Sequence, residues 1–113
     1  MKDDQLYLRH ILDAIERVES YTAVGYDIFV STTHWQDATI RQLEVIGEAT
    51  KRLSENLRSR HSQVPWRRIA GLRDVLIHDY MGVDLNAVWE ITQDSLPALK
   101  EHVQAILGRL DDE

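Results

Sequence analysis

The sequence has 113 residues and no cysteine. That removes disulfides, zinc–thiolate sites, iron–sulfur clusters and thiol nucleophiles together. It also fits a reducing compartment. Proline and glycine are sparse, at two and five residues, which favours helix over a turn-rich β fold. Apolar runs are only a few residues long, too short to span a bilayer. Met1-Lys2-Asp3-Asp4-Gln5 is charged and no apolar stretch follows it, so no signal peptide is expected. The expectation is a soluble, cytoplasmic chain with no membrane partner. Hydrophobic residues at 43% and charged residues at 28% are ordinary globular values. A chain this short supports one core, so residues 1–113 are expected to form a single domain.

The net charge is −6, but it is unevenly spread. Residues 1–50 carry a net −5 and residues 81–113 another −5. Residues 51–80 carry +4, from seven basic residues (Lys51, Arg52, Arg58, Arg60, Arg67, Arg68 and Arg73) against three acidic ones (Glu55, Asp74 and Asp79). A basic segment between acidic flanks is a partner clue that the total conceals. The plain alternative is a solvated, arginine-rich helix end and loop.

Periodicity supplies the elements. Leu8, Ile11, Leu12, Ile15, Val18 and Thr22 lie on one face of a helix that Asp3 or Asp4 can cap and Gly25 ends. Residues 26–33 read as a connector with room for one helical turn. A second helix is expected from Thr32 or Thr33 to about Ser59, with Ile40, Leu43, Ile46, Thr50, Leu53 and Leu57 inward. Gly47 inside it costs about 1 kcal/mol against alanine, which points to close helix packing. Residues 58–64 read as a polar loop. Pro65 then opens a third helix running to about Tyr80 and stopping before Gly82. Asp84 caps a last helix with a heptad stripe from Leu85 through Trp89, Thr92, Leu96, Leu99, Val103 and Ile106 to Leu110. The stripe crosses Pro97, which predicts a kinked continuous helix or two nearly collinear ones. The fold class expected is an all-α, up-and-down bundle of four to five helices.

On an ideal helix from Pro65 to Tyr80, Ile69, Leu72, Val75 and Leu76 form the core face. Arg73 and Tyr80 share one flank. Asp74 and His78 share the far side, an i, i+4 pair in which the carboxylate can raise and orient the imidazole. Ile77 is apolar where a monomer wants polarity, which suggests a covering partner. Asp79 falls on the core face, where a charge needs a partner. Arg67 and Arg68 occupy the first turn, where the macrodipole favours anions. A bound phosphate resolves that conflict; solvation or pairing with flanking carboxylates resolves it equally.

Arg73 and His78 form a minimal phosphodiester-cleaving set. Histidine moves protons near neutral pH, and arginine holds the phosphate and its developing charge. They lie about 140° apart on one helix, so a two-fold pairing of copies would be needed to focus them on one phosphate.

The string Arg73-Asp74-Val75-Leu76-Ile77-His78-Asp79-Tyr80 resembles the Arg-x4-His-x-Tyr signature of the HepT-like (DUF86) toxins in the HEPN superfamily of ribonucleases. Val45 to Ala49, Pro65 to Leu72, Val88 to Ile91 and Leu96 to Lys100 resemble that family in order and spacing. The resemblance implies an all-α HEPN bundle and a homodimer with facing motifs. It implies metal-independent cleavage of RNA, with no cofactor. Arg73 and His78 match the catalytic pair, and Asp74 the polar residue that supports them. Tyr80 matches the tyrosine that a cognate MNT-type nucleotidyltransferase antitoxin modifies with AMP. Arg67 and Arg68 are the expected grip on RNA phosphate.

Two other readings stand beside this one. The chain could be a non-catalytic helical subunit that docks a nucleotidyltransferase. It could also be a metal-dependent hydrolase using Glu44 and Glu48, or His34 and Asp37, although no H-E-x-x-H pattern exists. Trp35, Trp66 and Trp89 are expected to be packing anchors, with Trp66 the one candidate for base stacking beside its arginines. Tyr7, Tyr21 and Tyr26 are assigned to packing, and His10, His61 and His102 to the surface.

Overall fold

The computed structural model describes residues 2–72 and 84–112. Among these residues every regular element is a helix, without strands. Helix α1 spans Lys2–Thr22, α2 Tyr26–Ser31, α3 Thr33–Lys51, α4 Glu55–Arg60 and α5 Trp66–Ala70. After residue 83 come α6 (Leu85–Glu90), a π-helical turn (Ile91–Ser95) and α7 (Leu96–Asp112). No described helix is long and apolar enough to cross a membrane.

The periodic stripes become the core. Leu8, Ile11, Ile15 and Val18 of α1 are buried against Leu43 and Ile46 of α3 and Val103 and Ile106 of α7. Helix α1 packs on both α3 and α7. Tyr21 near the end of α1 lies 6.1 Å from Trp35 near the start of α3, so the two helices run antiparallel. Lys100 near the start of α7 pairs with Glu19 near the end of α1, at 2.9 Å, so α7 is antiparallel to α1 as well. The all-α bundle and the inward faces of α1 and α7 are those that the periodicity implied, but ahead of α7 it is Val88 and Ile91 that are buried, and the expected Leu85 and Trp89 are half-buried.

The connector at 26–33 resolves into α2. Gly25 precedes it at φ +92°, a conformation open to glycine and strained for other residues. Phe29 of α2 is fully buried, and its ring lies 5.3 Å from Trp89 of α6. Tyr26 packs its ring edge-to-face on Trp89 at 5.5 Å as expected, but it is 43% exposed and its hydroxyl donates to Asn86 Oδ1 at 2.7 Å.

The expected helix from 33 to 59 is broken in two. It stops at Lys51 and restarts at Glu55, because Ser54 takes extended backbone (ψ 150°) and its Oγ accepts from Leu57 N–H at 3.1 Å. The cap is locked from α1. Asp4 is buried, Oδ1 accepting from Ser54 N–H at 2.8 Å and Oδ2 from Ser54 Oγ–H at 2.6 Å. Asp4 therefore serves α4 across the bundle, 50 residues away in sequence.

Pro97 produces neither a break nor two separate helices. The turn before it widens into a π-helix, with Leu96 N–H donating to Ile91 C=O five residues back. Thr92 Oγ–H donates to the Trp89 carbonyl at 2.7 Å and satisfies a backbone acceptor beside the widened turn.

Candidate nucleic-acid interface

The basic segment folds as a corner: α4, a tight loop and α5. Leu57 anchors α4 in the core, leaving Arg58 half-buried and Arg60 exposed. The loop folds back on itself through Val64 N–H to the His61 carbonyl at 3.1 Å. The same carbonyl accepts Trp66 Nε1–H at 3.0 Å. Trp66 is buried and anchors α5; its only polar atom is spent on this bond, so the ring is a packing wedge and not a stacking platform.

The sequence places His61 at the surface, but it is 9% exposed. It closes α4, with its N–H donating to the Leu57 carbonyl. Burial pushes the imidazole below its ordinary 6.5, and the cationic Arg60 and Arg109 push the same way. His102 is half-buried rather than superficial. It lines a cavity of about 120 Å³ between α5 and α7, walled by Ile69, Leu72, Leu96 and Leu99, with Arg68 on the same lining.

Helix α5 sits on α3 at Gly47. A Cβ there would meet the Ala70 carbonyl oxygen at 3.2 Å and that of Ile69 at 3.4 Å. The interior glycine is thus a packing residue, as its position in the sequence suggested. Pro65 is the N-cap of α5, and Gly71 ends the helix after five residues. A single turn carries little macrodipole, so attraction for anions here rests on the arginine charges themselves. The break at Gly71 also interrupts the ideal wheel counted onward from Ile69.

Arg67 and Arg68 are exposed and adjacent on α5. They share a shallow concavity with Arg58 and Ser62. Among the described residues none of the three arginines pairs with a carboxylate. The motif residues Arg73, Asp74, Ile77, His78, Asp79 and Tyr80, the proposed helix end before Gly82 and the rest of residues 73–83 lie outside the described residues. Arg58 was not singled out in the sequence as a contact. The available signal was its place in the basic segment one turn after an N-cap serine.

Glu44 is half-buried and Glu48 bonds Lys51 at 3.3 Å on the exposed face of α3. His34 lies against Trp35 with ring centres 4.7 Å apart. Among the described residues no three histidine, aspartate or glutamate side chains group as metal ligands.

The profile of the ribonuclease HepT-like family matches residues 11–106. Three relatives extend the match. A protein of Methanocaldococcus jannaschii named "Gamma-glutamylcyclotransferase and putative RNase" is 43% identical over 97% of this chain, which spans half of that protein. A "Putative RNase" of Caldanaerobacter subterraneus is 42% identical over 96% of this chain and 98% of its own length. A "Probable ribonuclease HepT" of Thermococcus cleftensis is 40% identical over 83% and 86% of the two chains. This chain belongs to the ribonuclease HepT-like family. No solved structure matches it.

Proposed function

We propose that the protein is a metal-independent endoribonuclease, the toxin of a toxin–antitoxin pair whose partner is an MNT-type nucleotidyltransferase. The observation that carries this reading is the Arg73-x4-His78-x-Tyr80 string inside a chain matched by the ribonuclease HepT-like profile. His78 takes the proton of a ribose 2′-hydroxyl, whose oxygen attacks the adjacent phosphorus. The phosphorus–O5′ bond breaks, and the departing oxygen is protonated in turn. Arg73 holds the charge that develops on the phosphate oxygens. Asp74 orients His78, and Arg67 and Arg68 hold the strand. Two copies bring their motifs together across a two-fold axis. AMP on Tyr80 adds bulk and negative charge beside Arg73 and shuts the site to substrate phosphate.

The test is intact mass of the protein expressed with and without an MNT-type nucleotidyltransferase, followed by RNA cleavage by both samples. The expected result is a gain of one or more AMP units at Tyr80, with cleavage by the unmodified form alone. His78→Ala is expected to abolish cleavage without chelator-sensitive residual activity. Binding of the nucleotidyltransferase by a protein that cuts no RNA would replace this reading with that of a docking subunit.

A further inference from the structure

We infer that Arg58, with Arg67, Arg68 and Ser62, forms a cradle for the phosphodiester backbone of single-stranded RNA, outside the Arg73–Tyr80 motif. The inference rests on the ribonuclease reading and deepens it by adding a phosphate ligand from α4. Three arginines line one shallow concavity at the α4–α5 corner, and no acidic residue lines it. None of them has an acidic partner among the described residues. Arg58 Nε is buried with no hydrogen-bond partner there. A buried donor on a permanent cation is costly unless an acceptor arrives. Three like charges sharing one hollow call for the same thing, an anion.

The chemistry selects the anion's class. Guanidinium forks match phosphate oxygens in pairs, and the exposed Ser62 adds a hydroxyl donor. The flanks, −5 on each side of the basic segment, disfavour a polyanion on balance, and the net positive charge of the chain lies in the segment that forms this corner. A membrane surface fits poorly. The large apolar side chains exposed among the described residues are Leu6, Tyr26 and Ile28, none of which lines the concavity. Bonds to the backbone carry no base information, so the cradle grips RNA without regard to sequence.

The experiment measures binding of a short fluorescein-labelled single-stranded RNA by anisotropy across a salt series. The protein is the full chain carrying His78→Ala, so that RNA survives. Each phosphate-binding cation removed lowers the slope of log affinity against log salt by about 0.7 for a single strand. Arg58→Gln, Arg67→Gln and Arg68→Gln together should therefore flatten the slope by about 2, equally for two unrelated sequences. The three lysine replacements should keep most of the slope, since they retain the charge. An unchanged slope in the triple glutamine variant overturns the cradle. If circular dichroism shows that this variant does not fold, the pair Arg67→Gln and Arg68→Gln, both exposed, carries the test with an expected change of about 1.4. Cleavage by the wild type with an unchanged slope removes the cradle and leaves the ribonuclease. A changed slope in a protein whose wild type cuts nothing supports the cradle and removes the ribonuclease.

Discussion

Helix α1 is tied to the rest of the bundle by polar bonds at both ends, and the two ties are unlike. At its start, Asp4 is 3% exposed and both carboxylate oxygens accept short bonds from Ser54. Near its end, Glu19 accepts from Lys100 at 2.9 Å, but the two side chains are 49% and 27% exposed. The lengths are similar and the surroundings are not. Away from water, the Asp4 bonds are strong, and a broken one leaves Ser54 without a partner. In water, the Lys100 pair trades one hydrated state for another and is screened by salt.

Stability measurements can break this comparison. Asp4→Ala should cost about 3 kcal/mol in urea unfolding, because it removes two charge-assisted bonds and frees the α4 cap. Gly47→Ala should cost about 1 kcal/mol. The gain in helix propensity, about 1 kcal/mol, is outweighed by crowding of about 2 kcal/mol against the Ala70 and Ile69 carbonyls. Lys100→Ala should cost about 0.5 kcal/mol or less, and raising the salt concentration should erase the difference from wild type. A Lys100→Ala loss as large as that of Asp4→Ala would show that burial does not separate the two ties.

His61 gives the smallest effect and a pH signature. Its folded pKa lies below 6.5, from burial first and then from Arg60 and Arg109. The unfolded chain therefore binds the proton more readily than the native one. The contribution of His61 to stability is complete above 6.5 and is lost as pH falls through the folded value. The melting temperature followed from neutral to mildly acid pH should drop less in His61→Gln than in wild type. An equal drop in both would assign the acid sensitivity to other groups.

The bundle was legible because its stripes are long. Spacings of three and four over whole helices identify the buried faces of α1 and of the last helix without reference to partners. The break at residues 52–54 was not legible in the same way. No proline or glycine marks it, and its lock is Asp4, far away in sequence. Ser54 ahead of Glu55 and Leu57 was the local cue, outweighed by a hydrophobic stripe that continues through Leu53 and Leu57. His61 was misread for a related reason, whereas Trp66 is the packing anchor that was expected. Their burial comes from a carbonyl folding back over a loop, and no side-chain period encodes that. At the candidate site the sequence supplied the arginines and the motif string. The corner that brings Arg58 beside Arg67 and Arg68 came only from the turn between α4 and α5.

The widened turn at Ile91–Ser95 acts as a spacer of one residue in an otherwise helical rod. Removing one residue from it would let the turn close into regular α-helix with α6 and α7 keeping nearly the same relative rotation, because an i→i+5 turn holds one residue more than an i→i+4 turn. Val88 and Trp89 would then keep their places beside Phe29 and the core. This stretch should therefore tolerate the loss of one residue far better than the loss of two, and a one-residue gap there between relatives would mark a regular α-helical turn with α6 aimed as it is here.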